Sequence, residues 1–112
     1  MNEARQTIKA TYAVATDGAT TERGGEVVAR KSASLLDGRD VARVGDEVRY
    51  PDGRKAWIIT GSRYVILSGR PIAVVGSRLN NGDVISASPS TGAALVEFEG
   101  MQPVLAEYPV PA

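Results

Sequence analysis

A thirteen-residue stretch occurs twice in this 112-residue chain. Shifted by 31 residues, Leu36-Asp37-Gly38-Arg39-Asp40-Val41-Ala42-Arg43-Val44-Gly45-Asp46-Glu47-Val48 falls on Leu67-Ser68-Gly69-Arg70-Pro71-Ile72-Ala73-Val74-Val75-Gly76-Ser77-Arg78-Leu79, and six of the thirteen pairs are identical. Random pairing at average residue usage yields about one. Val27/Ile58, Val28/Ile59 and Leu35/Ile66 are further similar pairs at the same shift. Such a repeat means one supersecondary unit used more than once, each copy burying its apolar face against the next. Gly45 and Gly76 follow the apolar run of each copy and mark bends that a residue without Cβ makes easily.

The units read as strands and turns. Apolar runs at 27–28, 41–44, 57–60, 64–67, 72–75, 84–85 and 94–98 are strand-sized and bounded by Gly, Asp, Asn, Ser or Pro. Asp17-Gly18, Asp37-Gly38, Asp52-Gly53, Ser68-Gly69 and Asn81-Gly82-Asp83 suit turns that need a positive φ. No window holds a capped 3.6-residue period. Residues 2–10 are the best helix candidate and read equally well as a frayed arm. The expectation is one all-β domain. It divides into an N-terminal arm over 1–12, a β-domain over 13–90, and a C-terminal strand with a proline-containing extension over 91–112. Pro103, Pro109 and Pro111 disfavour a central strand in that extension. Val104, Leu105, Tyr108 and Val110 would anchor it to a partner; the other reading is a loose terminus.

Thirteen basic and thirteen acidic residues cancel, with no block of like charge. Neither nucleic acid nor an anionic membrane is an expected partner. Cysteine and histidine are both absent. That excludes disulfides and any Ser-His-Asp or Cys-His triad. Carboxylate pairs remain, as glycoside hydrolysis uses: Asp37/Asp40, Asp46/Glu47 and Glu97/Glu99. Glu97 and Glu99 would share a solvated strand face opposite Val96 and Phe98. Aromatic residues are only 5%, few for a sugar cleft. The chain is therefore not expected to be an enzyme. Asn80-Asn81-Gly82-Asp83 looks like a phosphate or calcium loop, but no helix N-terminus follows it, so it reads as a plain turn. The opening residues are polar and lack an apolar signal core. No run approaches the ~20 apolar residues of a membrane span. Residence in the cytosol is expected unless a machine exports the chain.

Residues 38–46 (GRDVARVGD) and 69–77 (GRPIAVVGS) resemble the Pro-Ala-Ala-Arg repeat of PAAR proteins. Residues 16–25 (TDGATTERGG) resemble that family's opening segment, and 59–62 (ITGS) its glycine-serine turn between units. The resemblance runs over roughly residues 13–90. It implies a small conical β-structure that caps and sharpens a trimeric β-helical spike in type VI secretion systems, phage tails or related contractile injection devices. One tip per trimer and possible effector cargo are implied with it. So is a location in the cytoplasm before firing and outside the cell, in a target cell or on a phage tail afterwards. Zinc-binding members use three histidines and one cysteine near the point. The corresponding positions here are Arg23, Tyr50, Asp52 and Asn81, so no zinc or other cofactor is expected. A hard cation on Asp52, Asn81 and Asp83 is the rival to simple turn hydrogen bonds. Packing by Trp57, Tyr50 and the tail would then replace the metal. The repeat residues Gly38, Arg39, Val41, Gly69, Arg70, Pro71 and Ile72 are the expected docking surface. The alternative is a free-standing small β-barrel binding module.

Overall fold

In a computed structural model, residues 6–30, 32 and 34–109 are described. They hold no helix and thirteen short strands: β1 (Ile8–Ala13), β2 (Thr20–Thr21), β3 (Glu26–Val28), β4 (Leu35–Leu36), β5 (Arg39–Asp40), β6 (Glu47–Arg49), β7 (Lys55–Trp57), β8 (Thr60–Ser62), β9 (Ile66–Leu67), β10 (Arg70–Pro71), β11 (Ile85–Ala87), β12 (Ala94–Phe98) and β13 (Leu105–Glu107). The fold is all-β.

A closed ring of three backbone hydrogen bonds organises it. Ala15 N–H donates to the Ala73 carbonyl (3.0 Å), Ala73 N–H to Ala42 (2.8 Å), and Ala42 N–H to Ala15 (2.9 Å). Three units therefore surround one axis, where the repeat shows two. The further copy spans 14–19, matching 41–46 and 72–77. All three ring alanines are fully buried, as they must be where three backbones meet.

The bonds around each ring residue repeat in kind. Ala19, Asp46 and Ser77 donate to the carbonyls of Thr16, Arg43 and Val74, closing four-residue turns. Gly18, Gly45 and Gly76 hold the third position with φ of 89°, 92° and 106°, the left-handed value such a turn requires. Their amides donate to Val27, Ile58 and Ile85. Those residues join Val48, Leu79 and the alanines in the main core.

Ahead of each ring residue stands a hairpin. β4–β5 turns at Asp37-Gly38 (φ 54° and 76°) and β9–β10 at Ser68-Gly69 (49° and 82°). Positive φ at both central residues defines the tight turn that matches strand twist. Residues 36–48 and 67–79 thus share one shape. In the first unit the equivalent pair is β12–β1, open at its end. Ala13↔Ala94 and Tyr12↔Leu95 match Asp40↔Leu35 and Arg39↔Leu36, and the ribbon runs on to Ile8↔Phe98. Beyond each ring residue stands a tip turn: 21–25, 50–54 and 79–83, carrying Gly24, Gly53 and Gly82 at φ of 85°, 88° and 89°. The sheet β11-β2-β3-β6-β7 joins the tips.

Several expectations are corrected. Runs 41–44 and 72–75 are buried, Val75 only partly, but make only isolated bridges (Thr16↔Val41, Arg43↔Ile72, Val14↔Val74), because segments around an axis meet at one residue pair each. Within the helix candidate, Ile8 to Ala10 lie in β1; residues 2–5 fall outside the described part. The tail is not loose: through Tyr108 it is bonded to the chain's own body. β13 pairs with β8, Val104 is 1% exposed, and the Tyr108 hydroxyl donates to the Ser62 carbonyl at 3.0 Å. Val110 and Pro111 lie outside the described residues. Glu97 is buried, not solvated, and accepts the Val104 amide at 2.8 Å. Trp57 sits exposed on β7 and braces no core.

Candidate functional site

Two clusters flank the alanine ring, one built by the hairpins and one by the tips. On the hairpin side, Val14, Val41 and Ile72 form a buried apolar trio, each next to a ring alanine. Leu36, Leu67 and Leu95 pack against it from equivalent hairpin positions. Together with Val65, Ser34, Ala93 and Ala94 they line an open depression of about 300 Å³. Leu35, which also lines it, and the equivalent Ile66, between lining residues Val65 and Leu67, stand 66% and 57% exposed. A concave, threefold, apolar face is the kind of surface that a partner covers.

Of the expected docking residues, Val41 and Ile72 belong to that trio. Gly38 and Gly69 sit at the hairpin turns facing open space, and Pro71 is buried in β10. Arg39 and Arg70 bend back onto the body. Their Nη1 atoms donate to the carbonyls of Asp17 (3.2 Å) and Val44 (3.1 Å), the equivalent residues just before Gly18 and Gly45. A Cβ on those glycines would stand 3.0 and 3.1 Å from the same nitrogens. In the remaining unit Tyr12 covers Gly76 instead. Arg70 also pairs with Asp46 at 3.1 Å. Burial pushes the Asp46 carboxyl up, against the lowering effect of the Arg43 amide and the Arg70 and Arg43 guanidiniums.

On the tip side, Arg23, Tyr50, Asp52 and Asn81 meet around one depression of about 220 Å³, with Arg54. Arg23 Nη1 donates to the Asn81 carbonyl (3.1 Å) and Asn81 Nδ2 to the Tyr50 hydroxyl (3.0 Å). Asp52 accepts the Arg54 amide at 3.0 Å, and Asn81 Oδ1 the Asp83 amide at 2.9 Å. Beneath them Asp83 is 1% exposed. Its Oδ1 accepts the amides of Arg23 (3.1 Å) and Val84 (2.8 Å). Its Oδ2 accepts the hydroxyls of Thr21 (2.5 Å) and Tyr50 (2.6 Å). Burial raises the Asp83 pKa, but these hydrogen bonds outweigh it and hold the carboxyl below its usual range. Burial and the bond to Asp83 push the Tyr50 hydroxyl up. One carboxylate on the third tip thus grips both others.

A family model for the PAAR motif matches residues 17–87, more than half of the chain. The chain belongs to the PAAR family. No curated protein matches it. PAAR proteins are structural tip proteins of contractile injection systems and associate with a spike protein. The matched span takes in all three tips and both closed hairpins. No helix among the described residues is long and apolar enough to cross a membrane.

The zinc of PAAR members does not suit the donors present here. Arg23 brings a guanidinium to the depression, and Tyr50 and Asn81 are neutral groups already bonded to each other. Both oxygens of Asp83 are taken by N–H and O–H donors, where zinc ligands are mostly imidazole and thiolate. Among the described residues no three His, Cys, Asp or Glu converge. The sequence offers Asp83 as a turn residue or a hard-cation ligand, not as an acceptor that joins three turns. Its spacing from Thr21 and Tyr50 carries no local signal of their contact. The roles of Val14 and Leu95 were missed for the same reason.

Proposed function

We propose that this PAAR protein caps a trimeric β-helical spike, one copy per trimer, docking through the apolar hairpin face with the tip turns pointing away. The closed Ala15-Ala73-Ala42 ring carries the reading. It gives a single chain approximate threefold symmetry, so each unit of the base can present similar chemistry to one chain of a spike trimer. The trio Val14, Val41 and Ile72, ringed by Leu36, Leu67 and Leu95, supplies apolar surface for the contact. Arg39 and Arg70 brace neighbouring units and so keep that face in shape. The tip's work is mechanical: a tightly bonded body meets the target first, in the cytoplasm until firing and beyond the cell afterwards. Effector cargo would ride with it.

Coexpression with a β-helical spike trimer tests this. The wild-type chain is expected to copurify with the spike. Leu35→Glu combined with Ile66→Glu, both at exposed positions, is expected to fold and fail to copurify. Unimpaired copurification of that variant would rule out the hairpin face. A chain that stays a lone monomer beside the spike would favour the free-standing binding module.

A further inference from the structure

We propose that Asp83 is the staple of the tip, doing by hydrogen bonding what a metal ion does in zinc-binding PAAR members, so that the tip closes without metal. The inference concerns the tip alone and does not depend on what the base docks to. Three five-residue turns converge here from separate units, and something must hold them together. A metal does so by taking ligands from several turns at one point. Asp83 has the same topology with the polarity reversed: a buried anion collects donors instead of a buried cation collecting lone pairs. Thr21 and the Arg23 amide come from the first tip, the Tyr50 hydroxyl from the second, and Asp83 itself from the third. With the Val84 amide these make four bonds to the carboxylate, all charge-assisted, the stronger class. The Arg23 side chain closes the outside by bonding Asn81, and Asn81 bonds Tyr50. The tip is thus a network whose polar groups bond one another. A cation placed there would face the Arg23 guanidinium.

The test reads the tip directly. The protein is purified from zinc-supplemented medium without chelator, and its metal content is measured by elemental analysis. Amide hydrogen exchange at Arg23 and Val84, the two backbone donors to Asp83, is followed before and after dialysis against EDTA. The same rates are measured in Asp83→Asn and in the milder Tyr50→Phe, which decides the matter if the first does not fold. EDTA is expected to leave both rates unchanged. Tyr50→Phe is expected to speed both by about tenfold, the loss of one charge-assisted bond. A stoichiometric metal whose removal speeds these amides would overturn the proposal. So would wild-type rates in both variants.

Discussion

At Gly61 a side chain is excluded by contact, not by backbone angle. A Cβ there would stand 2.6 Å from Val44 Cγ2 and 2.8 Å from the Ile72 carbonyl oxygen. The second obstacle is backbone inside a hydrogen-bonded unit and cannot swing away. Gly61→Ala is expected to cost about 1–3 kcal/mol, read as a lower urea midpoint with unchanged slope. Gly38→Ala meets nothing within 4 Å. It costs only its left-handed conformation, about 1–2 kcal/mol. Acid separates two other residues. Asp83, faced by the Tyr50 hydroxyl and by Arg23, has a pKa below its ordinary 3.8. Its ionised form adds stability that is full above that value and is lost as pH falls through the folded pKa. Asp46, facing Arg43 and Arg70, has a raised pKa. It works the other way, losing stability as pH rises from its ordinary value through the folded one. The stability gap between wild type and Asp83→Asn is therefore expected to be widest near neutral pH and to shrink below about pH 4. Chemical denaturation across that range checks it, and a gap independent of pH would contradict the assignment.

At the scale of elements, the two closed hairpins use the same turn with different residues. Ser68 holds φ of 49° where Asp37 holds 54°. Asparagine accepts that conformation better than serine, so Ser68→Asn is expected to stabilise by about 0.5 kcal/mol, seen as a small rise in melting temperature. This hairpin pair was legible in the sequence, because Leu-x-Gly-Arg and the following Ala and Gly survive in both copies. The remaining unit was not. Ala15 lies 27 residues before Ala42, while Ala42 lies 31 before Ala73. The β6–β7 arm, longer than its counterparts, accounts for the different spacing. Tyr12 replaces the arginine of Arg39 and Arg70, and the matching hairpin is assembled from β1 and β12 at distant positions. Across all three ring segments only the ring alanine and the bend glycine are identical, too little to find by shifting the chain. The four residues expected around the tip do meet there. The role of Asp83 was not legible, since its pairing with Thr21 and Tyr50 exists only once three units close.

In the docking proposed above, the molecule resolves a mismatch of symmetry. A single chain that ends a threefold spike must present three similar faces from unlike sequence. The alanine ring supplies the common geometry, the trio and its leucines supply common chemistry, and the differences are confined to tips, ribbon and tail. The ribbon β1–β12 supplies the first unit's share of the apolar face through Leu95 and departs from symmetry by running on to Ile8↔Phe98, while the tail strand β13 adds to β8 alone. Native mass spectrometry of the complex formed with a β-helical spike tests this account most directly. A mass of one chain on three spike chains is the predicted result. Three copies per trimer, or no complex at all, would contradict it.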